Sequence, residues 1–214
     1  VGLRGVLVQT GSASVVLENS VIRQSAFAGN AVLNSATATL GDSVLTMSGG
    51  TAAAVYGGNY TSNGTIETMG RTGAEIIGGT ATAAYGGNLI VGSRGSAMQA
   101  GDSELTLSLS DIGTAFGGSV LDSGASAVFQ GSSAVFVSGS TVATVFGGHR
   151  VEGGASATIS SGDASVVVSN SFVSQVYGGS LVQESGSTAS HGAGETLVEI
   201  IAGSTVGFAI GGSR

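Results

Sequence analysis

Proline and cysteine do not occur among the 214 residues, and lysine is missing too, so all six basic side chains are arginine. Without cysteine there is no disulfide and no thiolate metal site. Without proline the backbone N–H groups are free to donate, which suits a chain whose amides are committed to hydrogen-bonded ladders. Charge is scarce: 9% of residues carry it, and thirteen carboxylates against six arginines leave a formal net charge of −7. Nucleic-acid binding needs clustered cations that displace counterions, and scattered arginines on an acidic chain argue against it. Apolar runs stay at a few residues, far below the ~20 of a membrane-spanning helix, so no membrane span is expected. Aromatics make up only 5%.

What is abundant is small. Glycine accounts for 39 residues, and the 42% of hydrophobic residues are mostly Ala and Val. A core of small side chains must be thin and close-packed, which fits a narrow coil better than a wide globule. Disorder is not expected, because the chain is neither strongly charged nor poor in β-branched residues.

The chain repeats itself. An aromatic followed by two glycines occurs as Tyr56-Gly57-Gly58, Tyr85-Gly86-Gly87, Phe116-Gly117-Gly118, Phe146-Gly147-Gly148 and Tyr177-Gly178-Gly179, with degenerate copies at Phe27-Ala28-Gly29 and Ile210-Gly211-Gly212. Successive copies are 29, 29, 31, 30, 31 and 33 residues apart. A second glycine (Gly41, Gly70, Gly101, Gly131, Gly162) stands fifteen residues before the aromatic in five copies. The variation in length therefore falls after the glycine pair, where a loop is expected to bulge.

Within each repeat the fourth and sixth residues after the anchor glycine are apolar, as in Leu45 and Met47, Leu105 and Leu107, or Val166 and Val168. Alternation with period two is the signature of a strand. Two further short strands precede the anchor glycine and lead into the aromatic, as at residues 96–100 and 141–146. The reading is all-β: a parallel β-solenoid (β-helix) over residues 1–214, about seven coils of ~30 residues with three short strands per coil. At the ~4.8 Å strand spacing it forms a rod about 30 Å long. A β-sandwich is the alternative for short strands with Gly-rich turns.

In a parallel coil equivalent side chains lie above one another, so Phe27, Tyr56, Tyr85, Phe116, Phe146 and Tyr177 are expected to form a ring ladder. The adjoining glycines serve either a positive φ or a close backbone approach. The row is either a core or corner ladder or an exposed strip for sugar rings. Residues 1–11 align with 121–131, and residues 210–214 align with 116–120. The chain thus holds a whole number of repeats without polar caps, and it begins with Val and no visible leader. It is expected to be a slice of a longer solenoid or a unit that stacks end to end.

No catalytic constellation, cofactor site or metal site emerges. His149 and His191 fall in different columns and read as loop residues. Asp42, Asp102 and Asp163 share the column after the anchor glycine and read as turn formers. Glu75, Glu104, Asp111 and Glu152 are scattered, unlike the paired carboxylates of glycan-cleaving β-helices. The column Thr51, Thr80, Asp111, Thr141, Phe172 is broken, against the regular Thr rows of an ice-binding face. Phe136 and Val167 are outward positions open to lateral contact.

The phrase Val/Ala-Tyr/Phe-Gly-Gly-Asn/Ser at 55–59, 84–88, 115–119 and 176–180, set between Ser/Ala/Thr/Gly-rich strands, resembles the repeat regions of bacterial autotransporter-type adhesins. That resemblance implies export to the bacterial surface, a parallel β-helical passenger, adhesion to host or cell-surface glycans or proteins, and self-association. The expected function is a structural or adhesive extracellular solenoid, not an enzyme. The alternative is a carbohydrate-binding or carbohydrate-active β-helix of the tailspike or lyase kind.

Overall fold

Apolar side chains two residues apart on short Gly-bounded segments can be buried only on one face of a strand. Small side chains then let four such strands close around a narrow interior. The computed structural model describes residues 5–160 and 162–214. The part of the expected alignment that covers residues 1–4, equivalent to 121–124, lies outside those residues.

Each coil turns through sheets A, B, C and D in that order. In the fourth coil the strands are Ser96–Gln99, Ser103–Ser108, Asp111–Phe116 and Val120–Asp122. Every pairing is parallel and joins a strand to its equivalents in the coils above and below. Sheets A, B and C have seven strands and sheet D has six among the described residues. The register is the one the repeat predicts: Tyr56 pairs with Tyr85, Tyr85 with Phe116, and Phe146 with Tyr177. The chain is therefore a β-solenoid of about seven coils of about thirty residues, and the sandwich is excluded.

One expectation changes. Three strands per coil become four, because two or three residues beginning one position beyond the glycine pair, such as Leu89–Val91, form sheet D. The segment looked like loop because its length varies between repeats. The variation actually sits in two turns: the one after sheet D, two residues at 63–64 and five at 183–187, and the one from sheet A to sheet B, two residues at 41–42 and four at 192–195. In the first repeat Gly11 stands sixteen residues before Phe27, not fifteen, and the extra residue is taken up by a register shift between Ile22 and Ser25 in sheet C.

The interior has two lobes. Sheets B and C enclose one, filled by Leu105, Leu107, Val135, Val137, Ile112 and their equivalents. Sheets A and D enclose the other, with Ile66, Ile90, Leu121, Phe129 and Val151. The strands of sheet C break their own period. Ala52 and Val55 both face the first lobe although three residues apart, which turns Ala54 and Tyr56 to the opposite side.

The corner between sheets B and C has at least one residue with positive φ per coil: Asn19, Gly49 with Gly50, Gly78, Leu109, Gly139, Asn170 and Gly203. Gly and Asn adopt that conformation easily; a leucine does so against steric repulsion between its Cβ and the backbone. Leu109, at φ 53°, is also 73% exposed, so burial returns little. Leu109→Asn, which puts into the fourth coil the residue used in the first and sixth, is expected to stabilise by about 1 kcal/mol. A rise in melting temperature of about 2–4 °C would register it; no rise would mean that the leucine is unstrained.

Candidate functional site

The glycine-pair column, which the sequence singles out, is where the two lobes meet. The rings of Tyr56, Tyr85, Phe116, Phe146 and Tyr177 form a cluster separate from both lobes, walled by Ala54, Ala83, Leu89, Val120 and Leu181. They stack face to face from Phe27 to Tyr177, with centroids 4.6–5.2 Å apart and planes within 11° of parallel. From Tyr56 to Tyr177 they are 0–7% exposed. Stacking of this kind adds about 0.5–1.5 kcal/mol per pair beyond burial. The question the sequence left open is thus answered: the ladder is buried, packed against the side of sheet C that faces away from the first lobe. Arg150 reaches across it, donating to the Tyr85 hydroxyl at 3.1 Å while pairing with Glu152 at 2.8 Å. Burial raises the Tyr85 pKa, and Arg150 only partly opposes this.

The two glycines do different work. Gly57, Gly86, Gly117, Gly147 and Gly178 lie against backbone: a Cβ on Gly117 would meet Gly147 O at 2.3 Å and Ala134 N at 2.8 Å. Here the chain passes the start of sheet B closely enough for Gly73 N–H to donate to Gly57 O, at 3.3 Å. Close approach, not positive φ, is the reason for the first glycine. Gly58, Gly87, Gly118, Gly148 and Gly179 instead leave room for a side chain of the next coil; a Cβ on Gly118 would sit 2.4 Å from His149 Nδ1.

That side chain belongs to a buried polar ladder. The residue after the pair is Asn30, Asn59, Asn88, Ser119, His149, Ser180 and Ser213 in successive coils. Its side chain accepts the backbone N–H of its equivalent in the preceding coil. Asn30 N donates to Asn59 Oδ1 at 2.8 Å, Asn59 N to Asn88 Oδ1 at 2.7 Å, and Asn88 N to Ser119 Oγ at 2.9 Å. Ser119 N donates to His149 Nδ1 at 3.0 Å, His149 N to Ser180 Oγ at 3.0 Å, and Ser180 N to Ser213 Oγ at 3.1 Å. Buried amides that sheet pairing leaves without a partner are costly, and this column supplies one to each. Gln99 ties the ladder to sheet A: its Oε1 accepts from Asn88 Nδ2 at 2.9 Å and from Ser119 Oγ at 3.0 Å.

His149 is therefore not the loop residue expected from sequence. It is 2% exposed, its ring lies 3.7 Å from that of Phe129, and it fills an Asn/Ser place in the ladder. Burial, with a smaller contribution from the charge of His191, pushes its pKa down to about 3. The clue available in sequence was its position: residue 149 follows a glycine pair like Asn59, Asn88, Ser119 and Ser180. His191 ends the last strand of sheet A and is exposed.

The aspartate column lies at the corner between sheets A and B, as turn formers would. Each carboxylate accepts the backbone N–H of the next coil at 2.8 Å: Arg71 N to Asp42, Ser132 N to Asp102, and Glu195 N to Asp163. Among the described residues no group of three metal-ligating side chains comes together.

The outer faces differ in charge. Sheet B points Glu18, Glu75, Glu104 and Glu199 outward, beside the acidic corner. Sheet C points mostly Thr, Ala, Ser and Gly outward, with Val21, Asp111 and Phe172 among them, and Phe136's face, sheet B, lies on the other side of the corner. Phe136 is 39% exposed and Val167 is half-buried. No protein-family model matches this chain, and no curated protein or solved structure is significantly similar to it.

Proposed function

We propose that this chain is a structural or adhesive solenoid of the bacterial cell surface that self-associates, and that it performs no catalysis. The observation that carries the reading is the one-way ladder from Asn30 to Ser213. Each coil offers the one before it the same acceptor, so a further coil stacked on the rod receives the same bond as those inside it. Parallel sheets extend strand by strand in the same way. An interior devoted to axial continuity suits a rod that spans, spaces or polymerises.

The likeness of the aromatic-Gly-Gly phrase to autotransporter-type adhesin repeats supports an extracellular bacterial setting, with host or cell-surface glycans or proteins as further partners. The acidic outer surface disfavours nucleic acid. The carbohydrate alternative finds less support, since rings 0–7% exposed offer sugars no stacking platform.

Electron microscopy of the purified chain tests the reading. Filaments with an axial repeat of about 33 Å, seven coils at the strand spacing, are expected. Short rods that stay dispersed at every concentration, together with turnover or binding on a glycan panel, would replace it with the carbohydrate reading.

A further inference from the structure

We infer that two copies of this chain associate laterally, face to face, through the outer surface of sheet C. The inference deepens the self-association proposed above by naming a face and the residues that set its strength.

The outward positions of sheet C are its first and third in each strand, for example Thr51 and Ala53, Thr141 and Ala143. All are exposed there except Gly113, which is half-buried. Over all seven coils these rows carry Asp111 and, beside the register shift of the first coil, Arg23, whereas sheet B carries four glutamates and the adjoining corner three aspartates, with Arg71 paired to Glu104. Two copies that each carry −7 repel through sheet B and not through sheet C. The face is seven strands tall and about four residues wide, or about 450 Å² per copy and about 900 Å² for a pair, the size of a weak, transient interface.

The relief of the face favours a two-fold pairing with the rods antiparallel. The first row carries two large apolar residues, Val21 at 72% exposure in the first coil and Phe172 at 52% in the sixth. A two-fold through the middle coil sets the sixth coil over the second and the first over the seventh. Phe172 then meets Thr51 and Ala53, and Val21 meets Thr205 and Gly207. Large side chains oppose small ones across a self-complementary interface. The same axis brings Asp111 of the fourth coil against its symmetry mate, a like-charge contact that restrains the pairing.

Sedimentation velocity on the intact chain over a micromolar-to-millimolar range tests this with three exposed substitutions. Phe172→Ser is expected to weaken the dimer tenfold or more. Asp111→Asn is expected to tighten it at least threefold. Phe136→Ser, on sheet B, is expected to change nothing, and unaltered circular dichroism will show that all three fold. The inference is overturned if Phe172→Ser leaves association unchanged, if Phe136→Ser weakens it as much, or if wild type and Asp111→Asn both stay monomeric. Filaments that persist in Phe172→Ser with undiminished lateral contact would sink this face and leave end-to-end assembly standing. Phe172-dependent dimers without filaments would do the reverse.

Discussion

Gly117→Ala is expected to destabilise the rod by about 3 kcal/mol or more, enough to lower its melting temperature by at least ~6 °C. The added Cβ would lie 2.3 Å from Gly147 O and 2.8 Å from Ala134 N, both backbone atoms of other strands. Neither can rotate away as a side chain could, so relief requires separating two coils or moving sheet B from the crossing. Because each coil touches only its neighbours, the damage should begin locally and appear as a broadened transition. Gly73→Ala is the matched control. Its nearest atom would be Glu104 O at 3.5 Å, an ordinary contact, on a row where other coils carry Val44, Glu104 and Ala134. There the loss of unfolded-state freedom should stabilise by about 0.5 kcal/mol. Paired melting curves in which Gly117→Ala matched Gly73→Ala would show that the crossing is not tightly packed.

Acid should weaken the rod through His149. The imidazole accepts the Ser119 N–H at Nδ1, stacks on Phe129 and is sealed from solvent, all of which favour the neutral form. Its pKa is about 3 in the folded chain, against 6.5 for a free histidine. The folded value is depressed, so the unfolded chain takes up a proton first as pH falls. The contribution is complete above pH 6.5 and is lost progressively between 6.5 and 3. From pH 7 to pH 4 that amounts to about 3 kcal/mol, at 1.36 kcal/mol for each pH unit of linkage. His149→Asn places the residue of the second and third coils in the ladder and removes the titration. Chemical denaturation at pH 7, 5.5 and 4 should show the variant losing about 3 kcal/mol less than wild type, while carboxylate titration remains common to both. Parallel pH profiles for the two proteins would mean that His149 is solvated in the folded chain.

Much of this molecule was legible before any coordinates. Two anchors at constant spacing, with apolar residues alternating between them, require equivalent residues to face the same way in every repeat. Parallel stacking satisfies that, and Tyr56 duly lies on Tyr85. The burial of Leu45 and Met47, and the corner placement of Asp42, Asp102 and Asp163, follow from the same local rules of strand alternation and turn chemistry.

What the sequence could not decide depends on contacts between segments far apart in the chain. Strict alternation from Ala52 would carry Tyr56 into the first lobe. The irregularity in sheet C turns it out against the first residue of sheet D, where the rings pack with Leu89, Val120 and Leu181. The repeated apolar pair at Ala52 and Val55, three apart, was the trace it left. His149 read as a loop residue because its neighbours in sequence are glycines and an arginine. Its surroundings are Phe129, twenty residues earlier, and Ser119, thirty residues earlier, which only stacking brings together. The repeat period by itself determined the rod; the packing of one coil on the next decided which side chains it buries, which amides they satisfy and which face is left uncharged.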